Sequence, residues 1–189
     1  MHADAQLWRQ LTQPHLAPLV AAARDADPAS PADVARLRKL APQPLVHAAL
    51  QLAAARRKAI AKLSAPTGST FGDQAQHLLA DPAAVEQATD PVAAAYKASR
   101  LRDAFRALPP DQQRPFVDLA CGAGLDARAL LDEGLPVLAI DADPTRCVMA
   151  QHNTARRAAV ACADATQLNL HAHPFHLDPA RRTAAGQRL

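Results

Sequence analysis

The chain has 189 residues, room for one or two small domains, and 21 Lys+Arg against 18 Asp+Glu give a net charge of +3. No apolar run approaches the ~20 residues of a membrane-spanning helix, and no basic stretch followed by an apolar run marks a leader, so a cytoplasmic protein with no membrane partner is expected. Cys121, Cys147 and Cys162 are sparse, odd in number and without C-x-x-C spacing, which argues for a reducing compartment and against a disulfide framework. Apolar residues make up 49% of the chain but many are alanine, and with 3% aromatics the large core anchors reduce to Trp8, Phe71, Tyr96, Phe105, Phe116 and Phe175.

The first hundred residues read as helical. Ser30-Pro31-Ala32-Asp33 supplies an N-cap, a proline at N1 and an acid at N3, with Val34 and Leu37 following at helical spacing. A longer helix is predicted from about Pro44, with Val46, Leu50, Ala53 and Ile60 on one face. Arg56, Arg57, Lys58 and Lys62 near its far end complement the helix dipole. Ser64 to Thr70 breaks the period and reads as a loop. Asp90-Pro91 opens another helix, which runs to about Leu108 and is stopped by Pro109-Pro110.

From Pro115 the period changes. Strands are predicted at 116–120, 137–141, 159–163 and 175–178, with helices at about 125–133 and 144–156 between them. Asp143-Pro144 caps the second of these helices. The β-α-β-α-β alternation predicts a parallel, doubly wound sheet.

Phe116-Val117-Asp118-Leu119-Ala120-Cys121-Gly122-Ala123-Gly124 reads as a buried strand entering a glycine turn. Nineteen residues after Gly122 (141 − 122), the next strand ends on Asp141. A glycine turn paired with an acid at the following strand end suits an adenosine-containing cofactor. Gly122 to Ala127 also fits G-x-G-x-x-A, so a nicotinamide dinucleotide competes with S-adenosylmethionine. Asp118 tilts the balance, because a carboxylate four residues before Gly122 can accept from an amino-acid ammonium, which NAD lacks; alternatively it caps the turn. Asp164 after the third strand either accepts from an adenine amine or serves as a turn residue. Asp178-Pro179 closes the fourth strand on the same carboxyl edge. Cys121 lies inside the cofactor turn and reads as a small buried residue, since no histidine is near it in sequence. His171, His173 and His176 cluster without a cysteine or acid at ligand spacing, so no metal is expected.

These residues resemble class I S-adenosylmethionine-dependent methyltransferases, and more narrowly the bacterial methyltransferases with a THUMP-like C-terminal domain. Glu86-Gln87-Ala88-Thr89, Asp118 to Gly124, and Asp178-Pro179-Ala180-Arg181-Arg182 carry the resemblance, which covers roughly residues 45 to 188. The chain is more distantly similar to RNA trimethylguanosine synthases. The resemblance implies S-adenosyl-L-methionine as cofactor, with Asp118, Cys121, Gly122 and Gly124 lining its methionine part, Asp141 holding ribose and Asp164 holding adenine. It places Asp178 and Pro179 at the transferable methyl. Amino-group methyltransferases usually have an aromatic residue after this proline, whereas Ala180 and Arg181 stand here.

The resulting expectation is an α/β chain with a helical N-terminal domain over 1–110. A partial Rossmann-like methyltransferase sheet over 111–189 follows, stopping after the fourth strand. Such sheets normally have seven strands, and eleven residues follow Asp178 (189 − 178), so a front piece with an uncovered face and no THUMP-like domain is expected. RNA is the expected substrate, with Arg56, Arg57, Lys58, Arg100, Arg102, Arg181 and Arg182 as candidate phosphate contacts. A small-molecule or protein acceptor, a non-catalytic binding module and an NAD-linked oxidoreductase are the competing readings. Glu86 to Thr89 is either a plain turn before the Asp90 cap or a segment folding over the cofactor pocket.

Overall fold

The computed structural model describes residues 3–63, 75–170 and 173–178. The chain divides into two compact units, Met1–Glu86 and Gln87–Leu189.

The first unit is built on helices α1 (Ala3–Gln10), α2 (Ala17–Arg24), α3 (Pro31–Arg38), α4 (Gln43–Leu63) and α5 (Pro82–Gln87). Ser30 caps α3 as expected, its Oγ accepting from the Asp33 N–H at 3.3 Å. α4 is the central element and meets α1, α2 and α3. Its buried side runs through Ala48, Leu52, Ala55, Ala59 and Leu63, with Val46, Ala49 and Ala53 beside them. The buried face is therefore rotated from the predicted one: Val46 and Ala53 are buried, but Leu50 is only half-buried and Ile60 is 47% exposed. Alanines fully removed from solvent, such as Ala55 and Ala59, let neighbouring helices approach closely, so the small residues mark the interface more than the large ones do. Trp8 is buried here as predicted. The expected loop at 64–70 and Phe71 lie outside the described residues.

The second unit begins with α6 (Pro91–Arg106), whose N-cap Asp90 accepts from the N–H groups of Val92 and Ala93. Periodicity groups this helix with those before it; in the structure it packs on α7 (Leu125–Asp132), within the α/β unit. Strands β1 (Phe116–Leu119), β2 (Val137–Asp141), β3 (Ala159–Cys162) and β4 (Phe175–Leu177) form a parallel sheet in the order β3-β2-β1-β4. α7 joins β1 to β2, and α8 (Pro144–Asn153) joins β2 to β3. This is a Rossmann-like α/β arrangement. The chain winds outward from β1 to β3 and then crosses back to β4 on the other side of β1. The topological switch point therefore lies between β1 and β4, and open α/β sheets bind ligands at the carboxyl edge of such points.

One sheet face, Val117, Leu119 and Ile140 with Leu138 and Ala161, is packed by Ala163, Ala165, Leu168 and Leu170 from the segment after β3. Phe175 and Leu177 pair in register with Val117 and Leu119, and so extend that face across β4. They are 55% and 51% exposed, and Tyr96 on α6 is 64% exposed. Among the predicted aromatic anchors, Phe105 and Phe116 are buried, while Tyr96 and Phe175 are surface residues. No helix of the described residues is long and apolar enough to cross a membrane.

Candidate cofactor site

Three residues of left-handed backbone follow one another closely at the end of β1: Ala120 (φ 54°), Gly122 (φ 55°) and Gly124 (φ 77°). The two glycines serve different ends. A Cβ on Gly124 would lie 2.8 Å from the Ala150 Cα and 2.9 Å from its Cβ, so this glycine lets the turn press against α8. A Cβ on Gly122 would meet nothing within 4 Å, so this position leaves open space above the backbone for a ligand to approach. The buried Asn153 at the end of α8 donates from Nδ2 to the Ala123 carbonyl at 2.9 Å, a second tie between turn and helix.

Asp141 closes the turn from the next strand. Its Oδ2 accepts from the Gly122 N–H at 2.8 Å and its Oδ1 from the Asp143 N–H at 2.9 Å. Cys121 is buried, its N–H donating to the Ile140 carbonyl at 3.0 Å. Burial pushes its thiol far above the usual range, with Asp118 and Asp141 adding to the effect, so the side chain is inert packing. Asp164 is exposed and caps the turn after β3, Oδ1 accepting from the Thr166 N–H at 2.9 Å and its hydroxyl at 2.8 Å. Those bonds hold its carboxyl below the ordinary range. The turn role is thus realised, and an adenine would have to share this carboxylate.

Asp118 is the most buried charged side chain of the unit, at 2% exposure. Its Oδ1 lies 2.9 Å from Nδ1 of His176, its register partner on β4. Its Oδ2 is buried without a hydrogen-bond partner. Burial raises the Asp118 carboxyl above the usual range, and the His176 contact opposes this. An orphan carboxylate oxygen costs about 1–3 kcal/mol until a donor reaches it. Asp178 lies just past β4, 4.0 Å from the Lys97 ammonium on α6. Lys97 also pairs with Asp126 in the first turn of α7 at 2.9 Å, and Asp126 Oδ2 accepts from the Thr89 hydroxyl at 2.8 Å. Thr89 is thereby docked at the N-terminus of α7, beside the glycine turn. Pro179, Arg181 and Arg182 lie outside the described residues.

Residues 117–177 match the family model of a methyltransferase domain. The match covers about a third of the chain, from β1 through the last residue of β4, and takes in the glycine turn. No curated protein and no solved structure matches the chain. The match to the family model supports a methyltransferase activity of the general class EC 2.1.1, and members of the matched family generally use S-adenosylmethionine. The residues fit that cofactor: the open space at Gly122, the acceptor pair of Asp141 and the orphan Asp118 oxygen are what a ribose and an ammonium require.

In the α/β unit, the structure brings Asp118 and Asp178 to one side of the switch point, with Asp141 at the end of the neighbouring strand. Sequence patterns do not single out Lys97, Asp126 or the Asp118–His176 contact. Asp126 stands inside the glycine motif itself; nothing local to Lys97 signals its role, and His176 stands out only as one of three neighbouring histidines. Asp126, His176 and Asp178 can each offer a ligand atom within 4.8 Å of the others. The Lys97 ammonium already holds a cation beside two of them.

Proposed function

We propose that the α/β unit binds S-adenosylmethionine and that the protein methylates RNA. The observation that carries the cofactor assignment is the turn after β1, where Asp141 holds the Gly122 N–H while the space above Gly122 stays open, within the segment matching a methyltransferase domain. Gly122 and Gly124 would shape the turn for the methionine part, Asp118 would receive the ammonium, Asp141 the ribose hydroxyls and Asp164 the adenine. When bound, the cofactor supplies an electrophilic methyl group. Asp178 would accept an N–H from the acceptor amine and fix its approach, which is where most catalysis of such a transfer arises. S-adenosylhomocysteine should bind and NAD should not; binding of NAD alone would sink the assignment. Asp178→Ala should abolish transfer with S-adenosylhomocysteine affinity kept, and joint loss of both would count against the orienting role.

The RNA assignment is supported by the resemblance of Asp118 to Gly124 and Asp178 to Arg182 to RNA-modifying enzymes and by the net charge of +3. A small-molecule acceptor is the second reading, and one observation favours it. The Arg56 Nε donates to the Leu78 carbonyl, Arg57 donates to the Arg24 carbonyl, and Lys58 pairs with Glu86. Arg102 pairs with Asp103 and Glu133, and Arg100 lies over the Tyr96 ring at 6.0 Å. Those cations are committed within the fold. RNA binding that weakens steeply with salt supports the first reading; salt-independent or absent binding supports the second.

A further inference from the structure

We propose that the side chains at the β1–β4 switch point select the cationic form of the cofactor, so that the sulfonium donor binds more tightly than the neutral thioether it becomes. The inference rests on the S-adenosylmethionine reading and assigns a specificity role to Lys97 and Asp126 with Asp118 and Asp178.

Three carboxylates, Asp118, Asp126 and Asp178, face one ammonium, Lys97, so the set carries a formal charge of −2, or −1 where the imidazole of His176 against Asp118 is counted as a cation. If Asp118 holds that proton instead, the set is still −1. Among the described residues the deficit is not made good elsewhere: Lys97 is shared between Asp126 at 2.9 Å and Asp178 at 4.0 Å, and Asp118 keeps a buried oxygen with no hydrogen-bond partner. An acidic set in bulk water would be screened, but Asp118 is 2% exposed and Asp126 16%, so little water lies between these groups and a ligand.

The order of chemistry along the carboxyl edge places the excess charge against one part of the ligand. Asp164 stands at β3, Asp141 at β2, and Asp118 and Asp178 at β1 and β4. An adenosine group held by the first two leaves the amino-acid arm on the switch-point side. Both positive charges of S-adenosylmethionine, sulfonium and ammonium, lie on that arm. Loss of the methyl removes the sulfonium charge and leaves the rest of the ligand unchanged, so the acidic set distinguishes donor from product by charge alone.

The two flanking variants should move the preference in opposite directions. Asp126→Asn removes one negative charge and should reduce it; Lys97→Met removes the ammonium of the set and should enlarge it. The experiment is calorimetric titration of the full chain with S-adenosylmethionine, with S-adenosylhomocysteine, and with sinefungin, whose amine puts a cation where the sulfonium stands. The two cationic ligands should bind at least about tenfold more tightly than S-adenosylhomocysteine. That ratio should fall toward one in Asp126→Asn and rise in Lys97→Met. Asp178→Asn, at a more exposed position, repeats the first test if Asp126→Asn does not fold. Equal affinity for all three ligands, or a ratio that neither charge change moves, overturns the inference and leaves the methyltransferase reading intact. Failure of all three ligands to bind overturns both.

Discussion

Replacing Gly124 by alanine separates its packing role from the ligand-facing role proposed for Gly122. At Gly124 an added Cβ carries two costs. The left-handed backbone at φ 77° costs an L-residue about 1–2 kcal/mol. The new carbon would also stand 2.8 Å from a backbone atom of α8, the Ala150 Cα, which cannot rotate away. Overpacking of this kind costs about 1–3 kcal/mol, giving a total of about 3 kcal/mol. At Gly122 the first cost applies at φ 55° but the second does not, because nothing lies within 4 Å, so about 1 kcal/mol is expected. The difference of about 2 kcal/mol corresponds to about a thirtyfold faster opening of the α/β unit in Gly124→Ala. Trp8 is the sole tryptophan and sits in the first unit, so its fluorescence is blind to this change. Amide hydrogen exchange of the β1 and β2 peptides reads the α/β unit directly. Gly122→Ala should instead keep protection and lose S-adenosylhomocysteine binding. Equal loss of protection in the two variants would refute the reading that Gly124 serves packing and Gly122 the ligand.

Asp141→Asn turns one of two acceptor oxygens into a donor facing either the Gly122 or the Asp143 N–H. The α/β unit should lose about 2 kcal/mol by amide exchange, with cofactor affinity falling alongside; unchanged protection would show that the two bonds do not hold the turn. Asp118 has a folded-state pKa above its unfolded value because it is buried. Its favourable contribution is complete below the ordinary carboxylate range and is lost as pH rises through the raised value, from about pH 4 upward. Measured urea midpoints should therefore shift in favour of Asp118→Asn as pH increases, and a pH-independent difference would contradict the assignment. Burial pushes the Cys147 thiol up to about 12, with Cys162 adding to the effect, and Cys121 is raised further, whereas Cys162 is exposed. Iodoacetamide at pH 8 should alkylate Cys162 first and leave the other two until the unit unfolds; early labelling of Cys121 would show an open turn.

Features that depend on neighbours along the chain are legible in the sequence alone. The Ser30, Asp90 and Asp143 caps form as their positions dictate. The β2 bounds agree with the predicted ones, and the other three strands each stop one residue earlier. α8 ends at Asn153 instead of 156 because Ala155 and Arg156 turn left-handed, a conformation their types do not announce. Features that depend on the strand order are not legible in this way. Asp118 and His176 are 58 residues apart in sequence and meet only because β4 pairs with β1. Lys97 is an ordinary helical lysine until α6 packs on α7 and points it at Asp126. The buried face of α4 escapes binary patterning because its interface is written in alanine, which such patterning weighs lightly.

β4 is three residues long and, among the described residues, pairs with β1 alone, while β1 has a strand on each side. Its outward apolar residues add little hold, since Phe175 and Leu177 stay half in solvent. The His176–Asp118 contact is the side-chain rivet that keeps this strand in place. The carboxyl edge is thus clasped at the turn by Asp141, whereas the side that carries Asp178 is held by one side-chain contact. On the reading proposed above, the cofactor would meet a ready-made seat at the clasped turn, and the acceptor would settle against the side held by that one contact.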